Sequence, residues 1–181
     1  MDRSEAVDTT GSNNTRSLLK EAVWSPEFEV FVRRHSARLA KSLALITLDR
    51  GLAEDAAQEA FLQLYLHWED VRRMDVPEAW LYRVGINRCK NYRRTLRRAA
   101  RLVERLGGSV EEAAQADWSW EVDFTAVFQP LPPRQRTAVT LRYLAGLSMA
   151  EIAEAMGISE GAVGSHLHKA RESLRKALEA V

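Results

Sequence analysis

The sequence predicts an all-α protein of two small helical domains joined by an acidic linker, and three observations carry that expectation. Apolar residues recur at steps of three and four along most of the chain, and nowhere do they alternate with the period of two that a half-buried strand requires. Helix starts and stops punctuate these runs, at Ser25 with Pro26, Pro77, Pro133, Ser148, Gly157 and Ser159. Between the two sets of runs, residues 109–124 change texture: Glu111, Glu112, Asp117, Glu121 and Asp123 are acidic and no basic residue stands among them. The 181 residues therefore divide into a tail at 1–21, a domain at 22–106, an acidic linker at 107–125 and a domain at 126–181.

Residues 1–21 are rich in Ser, Thr, Asn and Asp without an apolar period, as expected of a loose tail. Ser25 suits the N-cap of a first helix, with Pro26 at the first helical position and Glu27 in the first turn. Phe28, Phe31, Val32, Leu39, Leu43 and Ile46 supply its buried stripe, and the stretch from Asp49 to Gly51 breaks it. A second helix, from about Ala53 to Trp68, carries Ala57, Phe61, Leu64, Tyr65 and Trp68 on one face. Pro77 opens a third, from Glu78 to Leu106, which Gly107 and Gly108 close. In the linker, Trp118 and Trp120 suit anchoring onto another surface. After Leu131, Pro132 and Pro133 the helical pattern resumes in three runs, 134–144, 149–156 and 159–178, separated by Gly146 and Gly157.

Composition narrows the function. The 26 Lys and Arg nearly cancel the 25 Asp and Glu, so any affinity for nucleic acid must come from charge segregated along the chain. One cysteine, Cys89, can form neither an internal disulfide nor a cysteine metal cluster, which fits a reducing cytoplasm. No run approaches the ~18 apolar residues of a membrane span, so membrane insertion is not expected. His166 and His168 stand two residues apart, on different helical faces, and cannot jointly hold a metal. No motif supplies a general base or an oxyanion site, so neither an enzyme nor a cofactor is expected. Cations around Cys89 are expected to lower its thiol pKa.

Three features carry chemistry. In residues 148–163, Ser148 with Glu151 makes a capping box, and Ala153, Gly157 and Val163 stand at the spacing of a helix-turn-helix. The same spacing occurs in helical hairpins that bind nothing, but the full set favours DNA. Ser159 then caps a helix whose early positions, Glu160, Gly161, Ala162, Ser165 and His166, would face base edges, with Lys169 and Arg171 nearer phosphate. From Arg83 to Arg101 lie Arg83, Arg88, Lys90, Arg93, Arg94, Arg97, Arg98 and Arg101 without one acid, interleaved with Asn87, Asn91 and Tyr92 and preceded by Trp80 and Tyr82. A solvated face would alternate its charges, so unopposed cations beside aromatic and amide groups point to a polyanion with unpaired bases. Finally, the second helix has another face carrying Asp55, Gln58, Glu59, Leu62 and Leu66, which suits either a plain amphipathic surface or a docking site for a basic protein partner.

These features stand in the order they have in one family: the chain resembles the extracytoplasmic-function group of bacterial RNA polymerase sigma factors, over residues 25–181. The stretch from Asp55 to Leu62 resembles the core-polymerase-binding segment of region 2; that from Trp80 to Arg94 resembles the part that opens and reads the −10 element. Leu131 to Arg136 and the helix-turn-helix after them resemble region 4, which reads the −35 element. The resemblance implies that Asp55, Gln58, Glu59 and Leu62 grip the clamp helices of the largest polymerase subunit, while region 4 meets the flap of the second largest. It implies a flipped −10 base at Asn87, with Trp80, Arg83, Lys90, Asn91 and Arg94 near the strand. Ser159, Glu160, Ala162, Ser165, His166, Lys169 and Arg171 would meet the −35 DNA. The acidic linker resembles the segment that threads toward the polymerase active centre. An anti-sigma protein is a further candidate partner. Where family members often carry Thr, Lys and Arg in the recognition helix, this chain has Ala162, Gly164 and His166, which shifts −35 selectivity toward DNA shape and phosphates. Two other readings share parts of the pattern: a stand-alone helix-turn-helix regulator, and a polymerase adaptor without promoter opening.

Overall fold

The computed structural model describes residues 24–105 and 127–179; the expected tail, the acidic linker, its Trp118 and Trp120, and Gly107 and Gly108 lie outside the described residues. Among those residues there are seven helices and no strand: α1 Pro26–Thr47, α2 Arg50–Leu66, α3 Trp68–Val71, α4 Pro77–Arg105, α5 Pro133–Tyr143, α6 Met149–Met156 and α7 Glu160–Glu179.

Local chemistry sets most of the helix ends. Ser25 Oγ accepts from Phe28 N at 3.2 Å, and Pro26 opens α1. The break after α1 differs from the expected one. Leu48 takes the left-handed conformation (φ 56°) and Asp49 becomes the N-cap of α2, accepting from Leu52 N at 2.9 Å. Arg50 and Gly51 are already helical. The buried face of α2 also departs from the expected stripe. It is built from Leu52 and Leu64 with Ala53, Ala56, Ala57 and Ala60, whose small side chains let the backbones approach, whereas Tyr65 is 37% exposed. Trp68 belongs to the short α3, and with Trp24, Phe28, Phe31 and Tyr65 it forms an aromatic cluster at the start of α1.

The first four helices pack as one bundle around Leu39, Leu43, Leu64, Leu81 and Ile86, each 2% exposed or less. Gly85 of α4 permits the crossing of α1: a Cβ there would come within 2.9 Å of Leu43 Cδ1. The last three helices close over Leu141, Ile152, Val163 and Ala170. Gly157 supplies the positive φ (67°) that turns α6 into α7.

The two helical domains also pack on each other, α1 against α5 and α4 against α6. Arg136 of α5, 5% exposed, marks this seam. Its Nε donates to Ile46 O at 3.1 Å and its Nη1 to Leu131 O at 3.3 Å. Arg93 of α4 donates to Thr47 O beside it. The last carbonyls of α1 have no intrahelical partner and sit at the negative end of the helix dipole, so two guanidinium groups there satisfy both needs. Burial, with the nearby Arg93 charge, pushes Arg136 below the usual arginine range. Across the seam Arg83 also pairs with Glu154 at 3.0 Å, but both side chains are substantially exposed, and such pairs contribute only ~0–1 kcal/mol.

Two of the buried groups, His35 and Cys89, make stability depend on pH on either side of neutrality. His35, 6% exposed, packs on Phe31 and faces the Glu78 carboxylate at 3.4 Å. Burial lowers its pKa below 6.5; Glu78 opposes that effect, while Arg34 and Arg38 reinforce it. A lowered folded pKa means stability is complete above pH ~6.5 and is lost as pH falls. Burial pushes the Cys89 thiol up to about 11 despite Arg93, so stability is lost as pH rises from 9 toward 11. At roughly 1.4 kcal/mol per unit, that alkaline limb is on the order of 2–3 kcal/mol. The urea midpoint should therefore form a plateau near pH 7–9. His35→Gln should flatten its acid side and Cys89→Ala its alkaline side; unchanged slopes in both variants would refute the assignment.

Candidate nucleic-acid interface

The residues read as −10 contacts all lie on α4. Trp80, Arg83, Asn87, Lys90, Asn91 and Arg94 recur at helical steps, within about 100° of one another around an axis that turns 100° per residue. The opposite face of α4 buries Leu81, Ile86 and Cys89, and this orients the stripe outward. Asn87, Lys90, Asn91 and Arg94 are exposed, while Trp80 is half-buried, its ring centroid 6.1 Å from that of His67. The cationic run continues the stripe through Arg97, Arg98 and Arg101, all exposed. Partial desolvation against its neighbours, with the nearby Arg134 charge, pushes the Lys90 ammonium below the usual lysine range.

On α2, Asp55, Gln58 and Leu62 face solvent, Leu62 with 45% of its surface exposed and Leu66 beside it with 63%. Glu59 does not share their freedom. It is half-buried, pairs with Arg88 of α4 at 2.9 Å and accepts from Gln63 Nε2 at 3.2 Å. A shallow cavity of about 340 Å³ lined by Asp55, Glu59, Arg88 and Asn91 lies between this face and the α4 stripe, so the two surfaces adjoin.

The helix-turn-helix has the local chemistry its spacing requires. Ser148 Oγ accepts from Glu151 N at 3.3 Å while the Glu151 carboxylate accepts from Ser148 N at 2.9 Å. Ser159 Oγ accepts from Ala162 N at 3.3 Å and caps α7. Val163 is fully buried and Ala153 nearly so, which fixes the angle between α6 and α7. On the outer surface Glu160, Ser165 and Lys169 are exposed and Ala162 is half-buried. Ser165 donates to Gly161 O at 3.0 Å. Arg171 turns toward α5, its Nε donating to Tyr143 Oη at 2.9 Å with the guanidinium above the tyrosine ring. His166 faces the cations of α4.

Three findings go beyond or against the sequence reading. The Cys89 thiol is pushed up, not down, because it is 4% exposed and desolvation outweighs its cationic neighbours. Arg134 and Gln135 border the same groove as the α4 cations, a placement that only the packing of the two domains creates. Arg136 carries the seam. Its only sequence mark is an arginine following a proline-opened turn, which does not separate it from Arg134.

Comparison with known proteins bears on the family and the fold. Residues 31–114 match the family model "Sigma-70 region 2" and residues 123–174 match "Sigma-70, region 4". The chain is 32% identical over 154 residues to the RNA polymerase sigma-E factor of Streptomyces coelicolor, covering 85% of this chain and 87% of that one. It is 31% identical over 162 residues to the ECF RNA polymerase sigma-E factor of Escherichia coli K12, covering 81% and 84%. Its fold is similar to that of the sigma factor RpoE of Bartonella quintana, solved with the anti-sigma factor NepR, with a TM-score of 0.68 at 21% identity over 84% of this chain and 97% of that one. With both family models matched in order along one all-α chain, the protein belongs to the extracytoplasmic-function group of the sigma-70 family, the sigma factors of transcription initiation.

Proposed function

We propose that this sigma factor binds core RNA polymerase through the α2 face of Asp55, Gln58, Glu59 and Leu62 and directs initiation at promoters whose −10 element it opens and reads with α4. The domain at 22–106 performs these two tasks, and the domain at 126–181 meets the −35 element through α7 and the polymerase flap. Trp80, Arg83, Asn87, Lys90, Asn91 and Arg94 hold the melted strand, with Asn87 hydrogen-bonding a displaced base and the cations neutralising phosphate. On α7, Ser159, Glu160, Ala162, Ser165 and His166 lie toward base edges and Lys169 and Arg171 toward phosphate. The protein acts in the cytoplasm, without a cofactor and without catalysing a reaction itself; no described helix is long and apolar enough to cross a membrane. An anti-sigma protein is a proposed partner, as in the solved complex of the RpoE relative with NepR.

The observation that carries this reading is the α4 stripe. Amides, an aromatic ring and cations share one face of one helix; Arg83 is paired with Glu154, but Lys90 and Arg94 have no carboxylate partner among the described residues, which suits an unpaired strand better than a duplex groove. The test is run-off transcription from a genomic promoter library by polymerase reconstituted with the full chain. Asn87→Ala should lower promoter opening about tenfold, the effect of ~1–3 kcal/mol for one lost base contact, and leave polymerase binding intact. Unchanged permanganate reactivity of the opened DNA would remove Asn87 from the site.

A further inference from the structure

A groove of about 820 Å³ runs between the C-terminal half of α4 and the start of α5. Arg94, Arg97, Arg98 and Arg101 form one wall; Arg134 and His166 stand on the other. Among the described side chains none of these arginines has a carboxylate partner. Pro132 caps α5 without a side-chain hydrogen bond, so a bare helix N-terminus adds its positive end where Pro132 and Pro133 border the groove. Like charges gathered on two walls raise the energy of the packed form unless an anion lies between them.

We propose that, in the free chain, this groove seats the acidic segment 111–123 of the same molecule. The described residues stop at Arg105, the end of the wall carrying Arg101, and resume at Val127, shortly before Pro133 on the other wall. The 21 residues between them therefore join the two walls. They hold Glu111, Glu112, Asp117, Glu121 and Asp123 and no Lys, Arg or His. Length permits the fit. Lys90 to Arg101 spans ~17 Å of helix, and the 13 residues from Glu111 to Asp123 reach up to ~43 Å when extended. Tethering at both ends gives the segment an effective concentration on the millimolar scale, above that of a free nucleic acid in most settings. A nucleic acid that enters the groove must displace it.

The test uses the full chain and a fluorescein-labelled single-stranded oligothymidylate, which contains no promoter sequence and needs no polymerase. Its outcome is therefore independent of the function proposed above. One variant neutralises the segment (Glu111→Gln, Glu112→Gln, Asp117→Asn, Glu121→Gln, Asp123→Asn). A control makes the same charge change at the far end of the bundle (Glu27→Gln, Glu29→Gln, Glu69→Gln, Asp70→Asn, Asp75→Asn), ~30 Å away along α1. The segment variant should bind the probe about tenfold more tightly than wild type at 0.1 M salt, and the control less than about threefold, because screening weakens distant charges. Adding Arg97→Ala, Arg98→Ala and Arg101→Ala should abolish that gain. Equal gains in segment variant and control, no gain in either, or a gain that survives loss of the three arginines would each overturn the proposal.

Discussion

Arg136→Ala should lower the urea midpoint by an amount equivalent to about 2–4 kcal/mol and let the two domains separate, with a larger radius of gyration in X-ray scattering. The side chain is 5% exposed and bridges Ile46 O in one domain to Leu131 O in the other. Truncation leaves both carbonyls without that donor and opens a cavity where the guanidinium stood. Hydrogen bonds to charged groups contribute ~1.5–3 kcal/mol, and lost packing adds to this. Arg136→Met separates the two terms, since it fills most of the volume but donates nothing. It should recover part of the stability and little of the compactness. A wild-type midpoint and wild-type scattering in Arg136→Ala would mean that apolar contact alone holds the seam. By comparison Glu154→Gln, which removes the exposed partner of Arg83, should shift the midpoint by an amount equivalent to less than ~1 kcal/mol.

Asp55→Lys combined with Leu62→Asp should reduce affinity for core polymerase about a hundredfold or more, ~2.8 kcal/mol at 1.4 kcal/mol per decade, while far-ultraviolet circular dichroism stays unchanged. Both side chains face solvent on α2 and neither touches its buried alanine face, so the fold has no reason to respond. Reversing an acid and burying a carboxylate in place of a leucine act on the two components of a docking surface, charge complementarity and apolar contact. Glu59 is a poorer choice for this experiment than spacing alone suggests. Its carboxylate is 2.9 Å from Arg88, and a lysine there would strain the contact between α2 and α4. Surface plasmon resonance on immobilised core enzyme gives the measurement; retention of wild-type affinity would move the polymerase contact away from this face.

Features whose cause lies within a few residues were legible in the sequence. Ser25, Ser148 and Ser159 cap helices because a side-chain oxygen reaches an N–H three residues on, and Gly157 turns because it lacks a Cβ. The stripe on α4 was legible for a similar reason, since helical periodicity converts spacing into a face. Errors arose where packing outweighed periodicity. Tyr65 continues the apolar step of α2, yet the helix packs through Ala53, Ala56, Ala57 and Ala60, whose small side chains give a weak hydrophobic signal but the closest approach. Cys89 looked cationic along the chain and is desolvated across it. The hydrogen bond from Arg136 to Ile46 O joins residues 90 positions apart, and no local pattern foreshadows it. Of the candidate site, helical spacing showed which residues share a side of one helix, but not the partners that packing gives Glu59, Arg83 and Arg171.

The contact between α4 and α6 sets a condition on promoter geometry. Under the proposed reading, elements centred near −10 and −35 lie about 25 base pairs apart, ~85 Å along B-form DNA at 3.4 Å per pair. Here Arg83 on the −10 helix is within ion-pair distance of Glu154 on the helix preceding the −35 reader. No single duplex can satisfy both readers in that arrangement, so occupancy of a promoter requires a population in which the seam has parted. If closure is favoured by ~3 kcal/mol, about one molecule in 150 is open, and the apparent affinity for anything that requires the open form falls by the same factor. Substitutions buried at the seam, far from polymerase and DNA alike, would then tune initiation strength across every promoter at once by changing how many molecules are ready to act.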